Sequence, residues 1–388
     1  MNPFKELFLL DPEIIYLNHG SYGATPRAVF DTCQAWQRQL ERDPADFINN
    51  QLPPLLQTAR TALGHYLNAG ADELVYVPNA TFGLNIIAQA LPLAAGDQVL
   101  TTNHEYGSIN NLWSYVCRKR GASYLRQAVS FPPASEAAMV DEIWAGVTPR
   151  TKVLFLSHIT SSTALRLPVE ALCRRARKAG IMTVIDGAHA PGQIALDLDA
   201  LGADFYVGNC HKWLCSPKGA AFLYTRRDRQ ALIEPLVIGW GWGEERKPTT
   251  ESDYVHSLQC MGTNDVSAYL SVPAAIEFQA QYDWPRVREH CHLLLAEALR
   301  LASVLTGLNP LYPPQGRFYE QMAVLALPPI PDLTAFNTCL YQQYGIQIPC
   351  MAWNGRQFLR ISVQAYNSQE DLDTLFDALQ RELPATGN

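Results

Sequence analysis

The chain has 388 residues, 48% of them hydrophobic, which is enough to bury a large core and predicts two domains or one large domain with a smaller one. Its formal net charge of −7 argues against a nucleic-acid partner, because no basic excess is available to neutralise phosphates. The sequence has no apolar run long enough for a membrane span, and its nine cysteines without a CxxC pair predict a reducing cytoplasm and no metal site.

Short apolar runs alternate with helical patterns between about residue 70 and residue 225. Six runs are predicted as strands: 74–77, 98–102, 153–157, 182–185, 205–207 and 219–224. They are continuously apolar, which indicates a sheet that is covered on both faces. Helical stretches such as 165–179 lie between most of them. The pattern therefore predicts a mainly parallel central sheet in an α/β layer, with its chemistry at the carboxyl ends of strands.

The pattern changes towards the C-terminus. Residues 230–262 are rich in glycine, tryptophan and charge, which predicts a long functional loop. A long helix is predicted from about residue 264 past Pro285. Three further strands are predicted after it, at 321–327, 345–349 and 358–363. We expect three parts: an N-terminal segment (1–20) associated with the small domain, a large domain (21–264) and a small α+β domain (265–388).

Polar residues follow several of the predicted strands, and they are Asn79, His104, Ser161, Asp186 and Lys212. Because the carboxyl ends of parallel strands share one edge of the sheet, we expect these side chains to converge. Asn79 also opens a helix, so the segment 79–81 is either an anion site or a plain helix cap. Tyr106 offers a ring to stack on a flat cofactor, with a half-buried tyrosine as the alternative.

Asp186 and Lys212 carry the most chemical information. A carboxylate at the end of an apolar strand needs a cationic partner or a proton, or else helps to cap the next helix. Lys212 lies between His211 and Trp213, where partial burial and a nearby cation lower the pKa of an amine. Such a pair is what a pyridoxal phosphate (PLP) enzyme requires. The amine holds the cofactor as a Schiff base, and the carboxylate keeps the pyridine nitrogen protonated.

The ordered series of motifs resembles the class V aminotransferase family of fold-type I PLP enzymes. Within it, the chain is most similar to the isopenicillin N epimerase-like branch, next to cysteine desulfurases and cysteine C–S lyases. The resemblance covers almost the whole chain, through the segments 16–26, 79–81, 158–165, 186–192, 211–213, 261–265 and 360–362. It implies a large PLP-binding domain, a small C-terminal domain and a homodimer with active sites shared across the interface.

The resemblance also implies roles for individual residues. Lys212 would carry PLP and act as acid and base at the substrate α-carbon, while Asp186 would hold the pyridine nitrogen. The remaining cofactor contacts would come from Asn79, Ala80, Thr81, Tyr106, Ser161, His189, His211 and, from the neighbouring subunit, Thr263. The substrate would be bound by Arg360, Asn18 and His19. From the sequence alone, an internal carboxylate partner for Arg360 is an open alternative.

The implied reaction is PLP-dependent chemistry at the α-carbon of a small amino-acid substrate, as in an epimerase or racemase, with the β-carbon as a variant. The alternatives are a cysteine or cystine C–S lyase, a desulfurase that uses Cys350, an aminotransferase, and a non-catalytic PLP-fold protein. A hydrolase using Ser157 and His158 is a further alternative, which the missing G-x-S-x-G motif disfavours. Epimerisation needs a second acid, for which Tyr106, His104 and a loop residue are candidates.

Overall fold

A computed structural model describes residues 2–383, which fold around a seven-stranded sheet. The strands are β1 (Ile15–Tyr16), β2 (Leu74–Val77), β3 (Gln98–Thr102), β4 (Ser123–Gln127), β5 (Thr151–Ser157), β6 (Met182–Asp186), β7 (Phe205–Asn209), β8 (Ala221–Thr225), β9 (Met322–Leu327), β10 (Ile346–Gln347), β11 (Cys350–Trp353) and β12 (Arg356–Ser362). The helices are α1 (His19–Tyr22), α2 (Arg27–Arg42), α3 (Pro44–Asp46), α4 (Leu52–Leu67), α5 (Ala80–Ala90), α6 (Gly107–Arg120), α7 (Glu136–Trp144), α8 (Val169–Lys178), α9 (Leu198–Leu201), α10 (Asp253–Gln259), α11 (Ser267–Leu270), α12 (Val272–Gln281), α13 (Trp284–Thr306), α14 (Leu333–Tyr344) and α15 (Gln369–Glu382).

The large sheet has the strand order β2-β8-β7-β6-β5-β3-β4. Strands β7, β6, β5, β3 and β4 run parallel, whereas β8 is antiparallel to both of its neighbours. All six predicted strands belong to this sheet, so the predicted α/β class with a mainly parallel sheet is confirmed. The sequence did not predict β4, because this edge strand is half exposed and lacks an apolar run.

Both faces of the sheet are covered, which explains the continuously apolar strands. On β5, Leu154 and Leu156 pack into one core, whereas Val153 and Phe155 pack into a second core on the opposite face. Helices α5 and α6 lie against the second core, and α8 packs against β6 on the other face. Each buried side chain of this kind stabilises the fold by roughly 1.5–3 kcal/mol.

The C-terminal part contains the antiparallel sheet β11-β12-β9, against which α13 packs. The long helix predicted from residue 264 past Pro285 is wrong, because three helices (α11, α12 and α13) occupy this stretch. Asp283 has a left-handed backbone with φ of 46°, which ends α12 and starts α13. Pro285 lies in the first turn of α13, where its missing N–H costs no hydrogen bond.

Two connections bear on the predicted organisation. Strand β1 pairs with β10, so the N-terminal segment joins a strand of the C-terminal part. Helices α11 and α12 lie after residue 264 but pack against α2 and α4 of the predicted large domain. The boundary at residue 264 stays a prediction.

The predicted loop 230–262 has no strand but contains α10 near its end. Every helix within residues 2–383 is too short or too polar to span a bilayer.

Candidate active site

A cavity of about 340 Å³ opens at the carboxyl ends of β5, β6 and β7. It collects most of the predicted site residues, which are Asn79, Ala80, Thr81, Tyr106, Ser161, Asp186, His189, His211, Lys212 and Arg360. These residues lie up to 281 positions apart in the sequence, from Asn79 to Arg360. The large sheet brings most of them to one edge, whereas Arg360 reaches the cavity from β12 of the antiparallel sheet. The cavity therefore forms where the sequence predicted the chemistry.

Lys212 lies on the turn after β7, with its Nζ 3.2 Å from Nε2 of His189. Burial and, to a smaller extent, the charge of Arg360 lower the pKa of Lys212 to about 7, although the charge of Asp186 opposes both. His189 accepts a hydrogen bond at Nδ1 from the indole of Trp213 (3.4 Å). This pattern assigns the proton of the neutral ring to Nε2, which then donates to the amine. A pKa of about 7 leaves a large share of Lys212 as the neutral, nucleophilic amine at pH 7.

Asp186 ends β6 and is only 5% exposed. Its Oδ1 accepts a hydrogen bond from the amide of Ala188 (2.9 Å), and its other oxygen has no hydrogen-bond partner within residues 2–383. Burial raises the pKa of Asp186, although the Ala188 amide and the charge of Lys212 both act to lower it. The next helix, α9, is capped by Asp197, so the helix-cap alternative for Asp186 is wrong.

The N-terminus of α5 forms the wall opposite these strand ends. Asn79 caps the helix, since its Oδ1 accepts from the amide of Phe82 (2.9 Å). The amide of Ala80 donates to Oδ1 of Asn209 (2.9 Å), whereas Thr81 lines the cavity. Asn79 is therefore both a plain cap and a wall residue, and the dipole of this 11-residue helix favours an anion beside Thr81.

His211 lines the cavity beside Lys212. Its Nδ1 donates to the carbonyl oxygen of Ala220 (3.0 Å), and burial lowers the pKa of His211 to about 4. The neutral ring therefore presents a bare Nε2. His211 can donate from Nε2 to a phosphate only when the ring is protonated, a form that a neighbouring phosphate itself favours.

Arg360 lies in the middle of β12 and is 5% exposed. Its Nη1 donates to the carbonyl oxygen (2.8 Å) and Oγ (3.0 Å) of Ser161, and its Nη2 donates to Oγ of Ser21 (2.7 Å). Burial lowers the pKa of Arg360 to about 10. Within residues 2–383 all these partners are neutral, so the internal carboxylate considered from the sequence is wrong. The guanidinium is available for an external anion.

Three predicted residues lie outside the cavity wall. The ring nitrogens of His19 are already engaged by the hydroxyl of Tyr366 (2.9 Å) and the carbonyl oxygen of Lys212 (3.0 Å). Asn18 is buried, and its Oδ1 accepts from Ser21. The prediction that Asn18 and His19 contact the substrate is therefore corrected. Both side chains lie behind the cavity wall and support the residues that form it. Thr263 is exposed between α10 and α11, and its contact through a neighbouring subunit stays a prediction.

The rival site residues are also separated by the fold. The hydroxyl of Ser157 donates to Glu105 (2.5 Å), whereas Nδ1 of His158 pairs with the hydroxyl of Tyr206 (3.0 Å). Within residues 2–383, Ser157 and His158 form no hydrogen bond with each other, so they are not the catalytic pair of a hydrolase. His104 is fully buried, and both of its ring nitrogens have partners, so it is not the second acid of an epimerase.

Cys350 faces away from the cavity. Its neighbours Pro349 and Met351 line the cavity, and because side chains alternate along a strand, Cys350 points to the other side of β11. Burial raises the pKa of the Cys350 thiol to about 12, which keeps it protonated. The position of Cys350 does not support a catalytic thiol.

Glu105 is a buried carboxylate behind the cavity wall that the sequence reasoning missed. It is 5% exposed, and its carboxylate accepts hydrogen bonds from the hydroxyl of Thr102 (2.8 Å) and the amide (3.0 Å) and hydroxyl of Ser157. Ser157 lines the cavity and pairs in register with Asp186. Burial raises the pKa of Glu105 to about 7, and the charge of Asp186 contributes to this rise.

The opening segment also contributes residues that were not predicted. Ser21 and Tyr22 line the cavity, as does Asn209 at the end of β7. Ser21 and Tyr22 lie within the segment 16–26, whose resemblance to the family was recognised. Which of its side chains face the cavity depends on the short helix α1 and was not readable from the residues alone.

The family model for class-V aminotransferases matches residues 15–375. The chain belongs to the class-V aminotransferase family. The isopenicillin N epimerase of Amycolatopsis lactamdurans is 36% identical over 386 residues, which cover 97% of each chain. The putative L-cysteine desulfhydrase 1 of Oryza sativa subsp. japonica is 29% identical over 410 residues, which cover 94% of this chain and 82% of that relative.

Solved structures share the fold. The cystine C–S lyase C-DES, in a variant with glycine covalently linked to its PLP cofactor, aligns with a TM-score of 0.80. The alignment covers 96% of this chain and 97% of that chain at 21% sequence identity. Membership of the family makes the protein a PLP-dependent enzyme, with pyridoxal 5′-phosphate as its cofactor.

The cavity fits this cofactor by the chemistry of its side chains. Lys212 offers a nucleophilic amine, and the free oxygen of Asp186 suits a protonated pyridine nitrogen. The first turn of α5 suits the phosphate, with Thr81 at the wall. Tyr106 lines the cavity and is 49% exposed. Its ring stacks on no other aromatic ring within residues 2–383 and is therefore available to stack on the cofactor. These contacts stay predictions that follow from the geometry.

Proposed function

We propose that this enzyme is an amino-acid epimerase or racemase that acts at the α-carbon. The observation that carries the proposal is that Arg360, buried among neutral partners within residues 2–383, lines the same cavity as the amine of Lys212. A guanidinium and an amine so placed suit the α-carboxylate and the α-proton of one amino acid. The nearly full-length similarity to an isopenicillin N epimerase supports the choice of reaction.

Each residue has a defined part in this reaction. PLP, when bound, withdraws electrons from the α-carbon of an attached amino acid. Asp186 would hold the protonated pyridine nitrogen of the bound cofactor, and Arg360 would orient the substrate carboxylate. Lys212 takes the α-proton onto Nζ, since a pKa of about 7 suits proton transfer at neutral pH. Return of a proton to the opposite face inverts the α-carbon, and Tyr106 and Tyr22, which line the cavity, are the candidates for this second acid.

A cysteine C–S lyase is the second candidate. The similarity to a putative L-cysteine desulfhydrase supports it. After proton removal by Lys212, a lyase expels a β-substituent and needs no second acid on the opposite face. The desulfurase alternative receives no support from Cys350, because its side chain points away from the cavity. An aminotransferase uses the same first proton transfer and differs only in where the proton returns.

Proton exchange and product analysis test the proposal. The PLP-loaded protein is incubated in D₂O with single L-amino acids, and deuterium at the α-carbon and the D-isomer are measured. An epimerase gives both, whereas pyruvate with sulfide indicates a lyase and a 2-oxo acid alone indicates an aminotransferase. Lys212→Ala is the matched control. An absence of exchange and of products across the amino-acid set would contradict the proposal and favour a non-catalytic PLP-fold protein.

We also propose a homodimer with shared active sites. Five apolar side chains of the loop after β8, which are 36–61% exposed in one chain, support a covered surface: Leu236, Val237, Ile238, Trp240 and Trp242. The position of Thr263 outside its own cavity is consistent with a contact to the partner's site. Sedimentation should give a dimer, and a stable monomer would contradict this part. The cytoplasmic location stays a prediction from the sequence.

A further inference from the structure

The side chain of Ser21 connects the opening segment of the chain to Arg360. Ser21 lines the cavity, and its Oγ accepts from Nη2 of Arg360 (2.7 Å) while it donates to Oδ1 of Asn18 (2.5 Å). A serine hydroxyl has one proton, which here goes to Asn18, so its lone pairs face the guanidinium. Asn18 is 6% exposed and cannot turn away into solvent. The hydroxyl of Ser21 is thus fixed in the orientation that receives Arg360.

The other side of the guanidinium is held by Ser161, which accepts from Nη1 through both its carbonyl oxygen and its Oγ. Nη2 therefore keeps one hydrogen for a further acceptor, and Nε has no partner within residues 2–383. Arg360 lies on β12, Ser161 follows β5, and Ser21 lies on α1. Three distant segments thus determine how one flexible side chain is oriented.

We propose that Ser21, braced by Asn18, is a positioning residue that orients Arg360 towards the α-carboxylate of the substrate. The inference rests on the proposed function and extends it to the recognition of the carboxylate. It implies that the enzyme distinguishes ligands with a carboxylate from similar ligands without one. Ser21 contributes to this discrimination without contact to the reacting atoms.

Two reagents that condense with the carbonyl of PLP test this inference without knowledge of the natural substrate. Aminooxyacetate carries a carboxylate, whereas O-methylhydroxylamine does not, and both change the absorbance of the loaded protein. In Ser21→Ala, the half-saturating concentration of aminooxyacetate should rise about tenfold, as expected for the loss of one hydrogen bond to a charged group. The value for O-methylhydroxylamine should stay within about twofold because Arg360 does not contact it.

Ser21→Thr keeps the hydroxyl and should return the aminooxyacetate value towards that of the wild type. Arg360→Ala should remove the preference for aminooxyacetate altogether, which calibrates the full effect. An equal rise in the half-saturating concentrations of both reagents in Ser21→Ala would assign a merely structural role to Ser21 and overturn the inference. An unchanged value for both reagents would overturn it as well. A wild-type protein that responds to neither reagent would instead contradict the assignment of PLP chemistry to this cavity.

Discussion

Replacement of Glu105 by Gln is expected to change how the stability of the cofactor-free protein depends on pH. Glu105 is buried beside Ser157 and Thr102, and no Lys or Arg within residues 2–383 forms an ion pair with it. Burial is the main cause that raises its pKa from an ordinary 4.5 to about 7, and Asp186 contributes. Gln keeps the size of the side chain but does not titrate.

The direction of this pH dependence follows from the pKa values of Glu105 in the folded and the unfolded chain. The folded protein binds the proton of Glu105 more tightly than the unfolded chain, so this stabilising contribution is complete below pH 4.5. It is lost progressively as the pH rises towards the folded value of about 7. The difference between the two values corresponds to about 3 kcal/mol. As the pH rises from about 4 to about 8, the stability of Glu105→Gln relative to the wild type should therefore increase by about 3 kcal/mol.

Reversible urea unfolding at a series of pH values measures this difference. Lys212, whose pKa is lowered to about 7, adds stability as the pH rises above 7, but it is present in both proteins and cancels in the comparison. The exposed Glu41→Gln serves as the control, since it removes a carboxylate without affecting a buried group. A difference that does not vary with pH would refute the assignment of a buried, uncompensated carboxylate to Glu105.

Three further predictions concern the cavity. Lys212→Ala should abolish the cofactor's long-wavelength absorbance band and α-proton exchange, whereas Lys218→Ala should retain the band; retention in both variants would remove Lys212 from its role. Arg360→Ala should weaken amino-acid binding by about 2–5 kcal/mol in an absorbance titration, because it leaves a carboxylate without its partner; equal affinities would contradict this. Cys350→Ser should keep turnover within about twofold, since its side chain leaves the cavity; loss of sulfur transfer in this variant would restore the desulfurase hypothesis.

The strands of the large sheet were predictable because burial on both faces requires continuous apolar runs. The same reasoning fails at the sheet edge, where β4 is half exposed and has no such requirement. It also fails after residue 264, where helical periodicity continues across Asp283. The left-handed backbone of that residue breaks the helix, and no periodic pattern of apolar residues records a single φ angle.

The cavity was predictable to the extent that its residues follow strands. Asp186 and Lys212 were identified because a charged group after an apolar strand needs a chemical reason. Glu105 was not identified, although it follows β3, because the sequence does not show that its carboxylate turns inward towards Ser157. Asn18 was identified as a contact but lies one hydrogen bond behind Ser21. Direction of side chains is set by packing, which a single sequence does not contain.

The placement of opposite charges explains why this cavity can bind both a cofactor and a substrate. Asp186 ends β6 and Arg360 lies within β12, and no ion pair joins them within residues 2–383. Two buried groups of opposite charge would neutralise each other if they met, and neither would then bind a ligand. Because different sheets hold them, Asp186 can receive a protonated ring nitrogen while Arg360 receives a carboxylate. Lys212 forms no ion pair with either group within residues 2–383, and its pKa of about 7 suits proton transfer at neutral pH.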